Sequence, residues 1–130
     1  MTKIVAVDPG MTIGLAWLDG NEFDAWQTKD IFQATHWFRS LYTDDDTVFV
    51  VENYLSSGHL TKEAFATIKL VGFFQYWLQD QFDTVVLAPP QSRLSGLPAA
   101  RKMADTLEIE GPHSWDALAH AVVAARKYAG

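Results

Sequence analysis

The run Ile4-Val5-Ala6-Val7 ends in Asp8-Pro9-Gly10, and this junction limits what the chain can become more than any other stretch. Four apolar, mostly β-branched residues suit a strand covered on both faces, and Pro9-Gly10 stops it. Asp8 is left at the end of a buried strand. An isolated carboxylate there would sooner take up a proton than stay ionised, so it needs a positive partner, and a divalent cation is the obvious one. Gly10 and Gly14 bracket Thr12 and leave backbone bare, which suits a turn into a second strand and the close approach of a phosphate. A plain hairpin whose aspartate only caps the turn would give the same local pattern.

The rest of the chain supplies elements to surround that strand. Ile13–Leu18 reads as a second strand, Asp19-Gly20-Asn21 as a tight turn and Glu22–Thr28 as a third strand, an antiparallel meander. Asp30 caps a predicted helix over Ile31–Tyr42, with Ile31, Phe32, Thr35, Phe38 and Leu41 as its apolar stripe and Asp44-Asp45-Asp46 as the polar loop beyond. Thr47–Val51 is apolar enough for the middle of a sheet and ends in Glu52. A polar loop, Asn53–His59, follows. The helix predicted for Thr61–Gln81 carries more apolar residues than one stripe requires, which fits either a partner surface or burial beneath a neighbouring helix. Asp83–Leu87 reads as a fifth strand, Ala99–Leu107 as a short helix and Ser114–Tyr128 as the last one.

A chain of 130 residues makes one domain, residues 1–130, with 48% hydrophobic residues to fill a core. It has no cysteine, which excludes disulfides and thiolate metal sites. No basic stretch followed by a long apolar one opens the sequence and no segment is of bilayer length, so a soluble, intracellular (cytoplasmic) protein is expected. The net charge of -6 argues against coating nucleic acid through a broad basic surface. Lys62, Lys69, Arg93, Arg101, Lys102, Arg126 and Lys127 all fall from residue 62 onward, however, while many acids crowd the chain before it. A basic rim around an acidic, metal-filled centre would suit a phosphodiester substrate; scattered solvated charge is the plainer reading of any single residue.

Asp8 and Glu52 each end a buried strand and become neighbours if those strands pair in parallel. Only a cation makes that cheap. His113 and Asp116 stand three apart at a helix start and share a face. Carboxylates with an imidazole suit Mg²⁺ or Mn²⁺ with open water positions, and the helix N-terminus helps keep Asp116 ionised and favours a nearby phosphate. His120, one turn on, could join them, although a helix histidine packed in the core or facing solvent gives the same pattern.

The succession of I-V-A-V-D-P-G-M-T-I-G, V-V-E-N-Y and H-S-W-D-A-L-A-H-A resembles the ribonuclease H-like nuclease superfamily and, within it, RuvC-like Holliday junction resolvases. The resemblance spans nearly the whole chain. It implies an α/β fold with a five-stranded mixed sheet, an antiparallel meander followed by parallel strands, flanked by helices. It implies that Asp8, Glu52 and Asp116 hold metal and that His113 fills a fourth position. It also implies a homodimer through the helix near 61–81 and DNA contacts from Arg93, Arg101 and Lys102. Two-metal hydrolysis of phosphodiester bonds in branched DNA is the activity expected, with two Mg²⁺ or Mn²⁺ ions per site. Lys62 and Lys69 would join the phosphate contacts, and Tyr54 or Phe65 would stack on an unpaired base unless each simply packs on the sheet. A branched-DNA binder without cleavage and a phosphotransferase, suggested by D-P-G-M-T-I-G, are the rivals.

Overall fold

The computed structural model describes residues 2–41, 47–53, 62–81, 85–104 and 111–128. Five strands form one sheet: β1 (Lys3–Asp8), β2 (Ile13–Asp19), β3 (Glu22–Thr28), β4 (Thr47–Glu52) and β5 (Val85–Ala88), in the order β3-β2-β1-β4-β5. The meander pairs antiparallel, β1 with β2 and β2 with β3, whereas β4 joins β1 in parallel and β5 joins β4 in parallel.

Side chains alternate across a strand, and here the alternation sorts two cores. Ile4, Ala6, Val48 and Val50 point to one face with Ala16 and Leu18; Val5, Val7, Phe49 and Val51 point to the other with Leu15. On the first face lie α3 (Ser92–Met103) and α4 (Gly111–Tyr128), contributing Ala100, Ala117, Leu118 and Ala121. On the second lie α1 (Ile31–Leu41) and α2 (Lys62–Gln81), contributing Ala34, Val71, Phe74 and Leu78. The alanine-rich face of α4 lets it lie close across β1, β2 and β3. Gly96 brings α3 equally close, since a Cβ there would collide with the Ala119 carbonyl of α4.

Several elements depart from the sequence reading. In α1 the Asp30 cap forms, its Oδ1 accepting from Phe32 N at 2.9 Å, but Phe32 is 79% exposed and the inward face is Ile31, Ala34 and Trp37. A helix was expected over Ala99–Leu107; α3 instead starts at Ser92 and runs through Pro98 to Met103. Packing on α4 outweighs the backbone hydrogen bond that Pro98 removes, and successive turn bonds from Ser92 N, Arg93 N and Leu94 N to the Pro89, Pro90 and Gln91 carbonyls start the helix. The last helix begins at Gly111, three residues earlier than expected, with Pro112 in its first turn, where a missing N–H costs nothing. The fifth strand is Val85–Ala88; residues 83 and 84, the acidic triplet and Leu107 lie outside the described residues. No helix among the described residues is long and apolar enough to cross a membrane.

Candidate active site

The parallel register pairs Val7 with Val51, so Asp8 and Glu52 come next, side by side. Both have the parity of Ala6 and Val50, and both therefore turn toward the α4 face. They are buried, at 5% and 8% exposure, and hydrogen-bond each other. Two such carboxylates hold one proton between them. Burial, then the hydrogen bond and charge of Glu52, push Asp8 up to about 9. Burial acts the same way on Glu52, but its hydrogen bonds with His120 and Asp8 and the Arg93 guanidinium outweigh it and hold Glu52 down at about 2.

The N-terminal turns of α4 bring the remaining groups. His113 Nδ1 stands 3.3 Å from Asp8 Oδ2, and Asp116 Oδ2 stands 3.8 Å from Arg93 Nη1. The same Nη1 lies 3.4 Å from Glu52 Oε1, so one guanidinium from the first turn of α3 bridges a carboxylate of the sheet and one of α4. Asp8, Glu52, His113 and Asp116, far apart in sequence, thus meet at the carboxyl ends of β1 and β4. Burial raises the Asp116 carboxyl, more than Arg93 lowers it.

Gly14 has a different role from the one its sequence context suggested. A Cβ at Gly14 would run into the His113 carbonyl, so its bare backbone seats the start of α4 against β2 rather than leaving room for a phosphate. Gly14→Ala should therefore force α4 off the sheet where His113 must meet Asp8. The expected result is a loss of about 1–3 kcal/mol of stability, read as a lower denaturant midpoint.

The other candidates are dispersed. Lys62 and Lys69 are exposed on α2, on one side of the sheet, and Arg101 and Lys102 are exposed in the last turn of α3, on the other. Eight residues of helix put Arg101 about 12 Å along α3 from Arg93. Tyr54 and the Phe65 side chain lie outside the described residues. The sequence places Arg93 among rim contacts and leaves His120 open between a further ligand and a packed helix histidine. Arg93 stands inside the cluster, and His120, 1% exposed, places Nε2 3.0 Å from Glu52 Oε1. The only signal for His120 was its spacing, four residues after Asp116 and seven after His113, on the same helix face. Among the described residues no three His, Asp or Glu side chains are arranged as a ready cage for an ion. The shared proton and Arg93 supply the positive charge instead.

Comparison with solved structures agrees with this architecture. The structure of Thermus thermophilus RuvC in complex with a Holliday junction substrate matches with a TM-score of 0.66 at 17% identity, over 96% of this chain and 93% of that one. A second T. thermophilus RuvC structure matches with a TM-score of 0.53 at 17% identity, over 95% and 93%. No protein-family model and no curated protein matches the chain. The likeness shows the fold: α/β, ribonuclease H-like, in its RuvC-like form.

Proposed function

We propose that this chain is a divalent-metal-dependent endonuclease that hydrolyses phosphodiester bonds in branched DNA such as Holliday junctions. The observation that carries the reading is the Asp8–Glu52 pair at the ends of adjacent parallel strands, met at the same centre by His113 and Asp116. A RuvC-like fold, seen elsewhere in a protein holding a Holliday junction substrate, supports the substrate class.

The donor set fits Mg²⁺ or Mn²⁺. Asp8, Glu52 and Asp116 offer hard carboxylate oxygens and His113 an imidazole nitrogen. The charge fits too, because carboxylates reduced to sharing a proton and a guanidinium lack the positive charge that a cation brings. When bound, two such ions supply an activated water and a stabilised departing oxygen, so no protein nucleophile is required. On ion binding the proton that Asp8 shares with Glu52 would pass to solvent, and the two carboxylates would form a doubly negative anchor. Arg93, its side chain 40% exposed, offers its guanidinium to a phosphodiester oxygen, and the α4 N-terminus favours the same phosphate. Lys62, Lys69, Arg101 and Lys102 would hold more distant phosphates, so binding should weaken as salt rises.

The Arg93 bridge between Glu52 and Asp116 favours a second reading, a branched-DNA binder in which the guanidinium satisfies the carboxylates for good. Incubating labelled four-way junctions, flaps, forks and linear duplex with Mg²⁺ or Mn²⁺ separates the two. Nicked arms on branched substrates support the nuclease. Junctions of shifted mobility that stay uncut at every metal concentration support the binder.

The same reading includes a homodimer through α2. Ile68, Phe73 and Tyr76 leave 39%, 40% and 80% of their surfaces exposed on the side away from Val71, Phe74 and Leu78. Tyr76→Glu touches no core residue and should convert a dimer into a monomer in sedimentation experiments at micromolar concentration. An unchanged mass would place the interface elsewhere.

A further inference from the structure

His120 occupies a position that neither packing nor metal ligation explains well. Its ring is among the largest fully buried side chains, in a helix face otherwise made of Ala117, Leu118, Ala121 and Ala124. A buried imidazole costs stability unless both polar ends are satisfied. Only one end is: Nε2 meets Glu52 Oε1 at 3.0 Å, while Nδ1 has no hydrogen-bond partner among the described residues. The ring also lines a cavity of about 170 Å³ whose wall is mostly apolar, with Val50, Ala88, Val123 and Ala124, but includes Ser92, Lys127 and Tyr128. The contact that sets this histidine apart from the aliphatic residues around it is the one to Glu52.

That contact fixes something the sheet alone leaves loose. Asp8 has a short side chain held from both sides, by His113 and by Glu52. Glu52 is longer, with an additional rotatable bond. Its contact with Arg93 comes from a side chain that is 40% exposed. His120 approaches from the buried face of α4. A carboxylate oxygen accepts, so Nε2 carries the hydrogen and pins Oε1, the oxygen that Arg93 also approaches from the centre at 3.4 Å.

We propose that His120 is a positioning residue: its Nε2–H holds the Glu52 carboxylate in the orientation that receives a divalent ion, without touching the ion itself. This rests on the metal-dependent reading above. Groups that orient a ligand from behind typically change metal affinity by about 10–100-fold when removed.

Mn²⁺ titration calorimetry on the full chain, wild type against His120→Gln, His120→Asn and His120→Leu, tests it, with circular dichroism confirming that each is folded. The Gln amide nitrogen reproduces the reach of Nε2; that of Asn falls short by a methylene; Leu fits the apolar surroundings and donates nothing. Expected is Mn²⁺ affinity within about threefold of wild type for His120→Gln and a loss of about 10–100-fold for His120→Asn and His120→Leu. Cleavage of a four-way junction by the two weakened variants should recover at high Mn²⁺, since the ligands remain. The contrast between Gln and Asn carries the test even if His120→Leu fails to fold. Equal affinity in all variants, or equal loss in all including Gln, overturns the proposal. A wild-type chain that binds no Mn²⁺ overturns the metal-dependent reading as well, whereas wild-type binding with indifferent variants removes only the role of His120.

Discussion

Asp8→Asn is expected to lower the rate of junction cleavage by about 10³-fold or more while leaving junction affinity within about threefold. The carboxylate it removes is one of the three offered to the proposed ions, whereas the exposed basic residues that would hold the more distant phosphates lie on α2 and at the far end of α3. The same substitution should stabilise the metal-free protein. Asp8 is buried beside Glu52, and in the folded chain its carboxyl is pushed up to about 9, against 3.8 when unfolded. An amide makes the hydrogen bond to Glu52 without that penalty. A gain of about 1 kcal/mol, or roughly 4 °C in Tm at neutral pH, is expected in calorimetry without metal. Loss of cleavage and of junction binding together, with a lower Tm, would point to a structural role for Asp8 instead.

The largest effect of pH should be on stability without metal, and it follows from the same pair. Between pH 3.8 and about 9 the unfolded chain has lost the Asp8 proton while the folded chain keeps it, so stability falls as pH rises across that window. Glu52 acts in the opposite sense at lower pH. Its folded value of about 2 against 4.5 unfolded makes stability fall as pH drops from 4.5 toward 2. For this pair, metal-free stability therefore peaks near pH 4, where the two trends meet. Mg²⁺ takes the place of the shared proton, so the rise in Tm that saturating Mg²⁺ produces should widen from pH 5 to pH 9. In Asp8→Asn the metal-free decline above pH 4 should flatten. A Mg²⁺-induced shift that is constant across this range, or absent, would show that the proton and the ion do not compete for one place.

The sheet was legible because its signals are local. Period-two alternation, the Asp19-Gly20-Asn21 turn and Pro9-Gly10 mark the meander, and the apolar run before Glu52 marks a strand covered on both faces. Parity then does much of the work at the site, since any parallel pairing that aligns Val7 with Val51 brings Asp8 and Glu52 together on one face. The α3 region was not legible. Pro98 reads as a break, and only packing of Gly96 and Ala100 against α4 carries the helix across it. With the start of α3 misplaced, Arg93 could not be put in the first turn of a helix aimed at Glu52 and Asp116. His120 was hidden for a different reason. A lone histidine among alanines on a helix looks like core, and it is core, but its hydrogen bond reaches a residue 68 positions away. The two glycines of the first turn illustrate the same limit: sequence shows that backbone is bare at Gly14, not that the His113 carbonyl is what fills the space.

Anomalous scattering from crystals grown with Mn²⁺ tests most directly whether Asp8, Glu52, His113 and Asp116 form one ion-holding centre. The predicted result is a pair of Mn²⁺ peaks among these four side chains, with Arg93 turned away from Glu52 and Asp116. Crystals with Mn²⁺ bound only elsewhere, and Arg93 still bridging the two carboxylates, would contradict it.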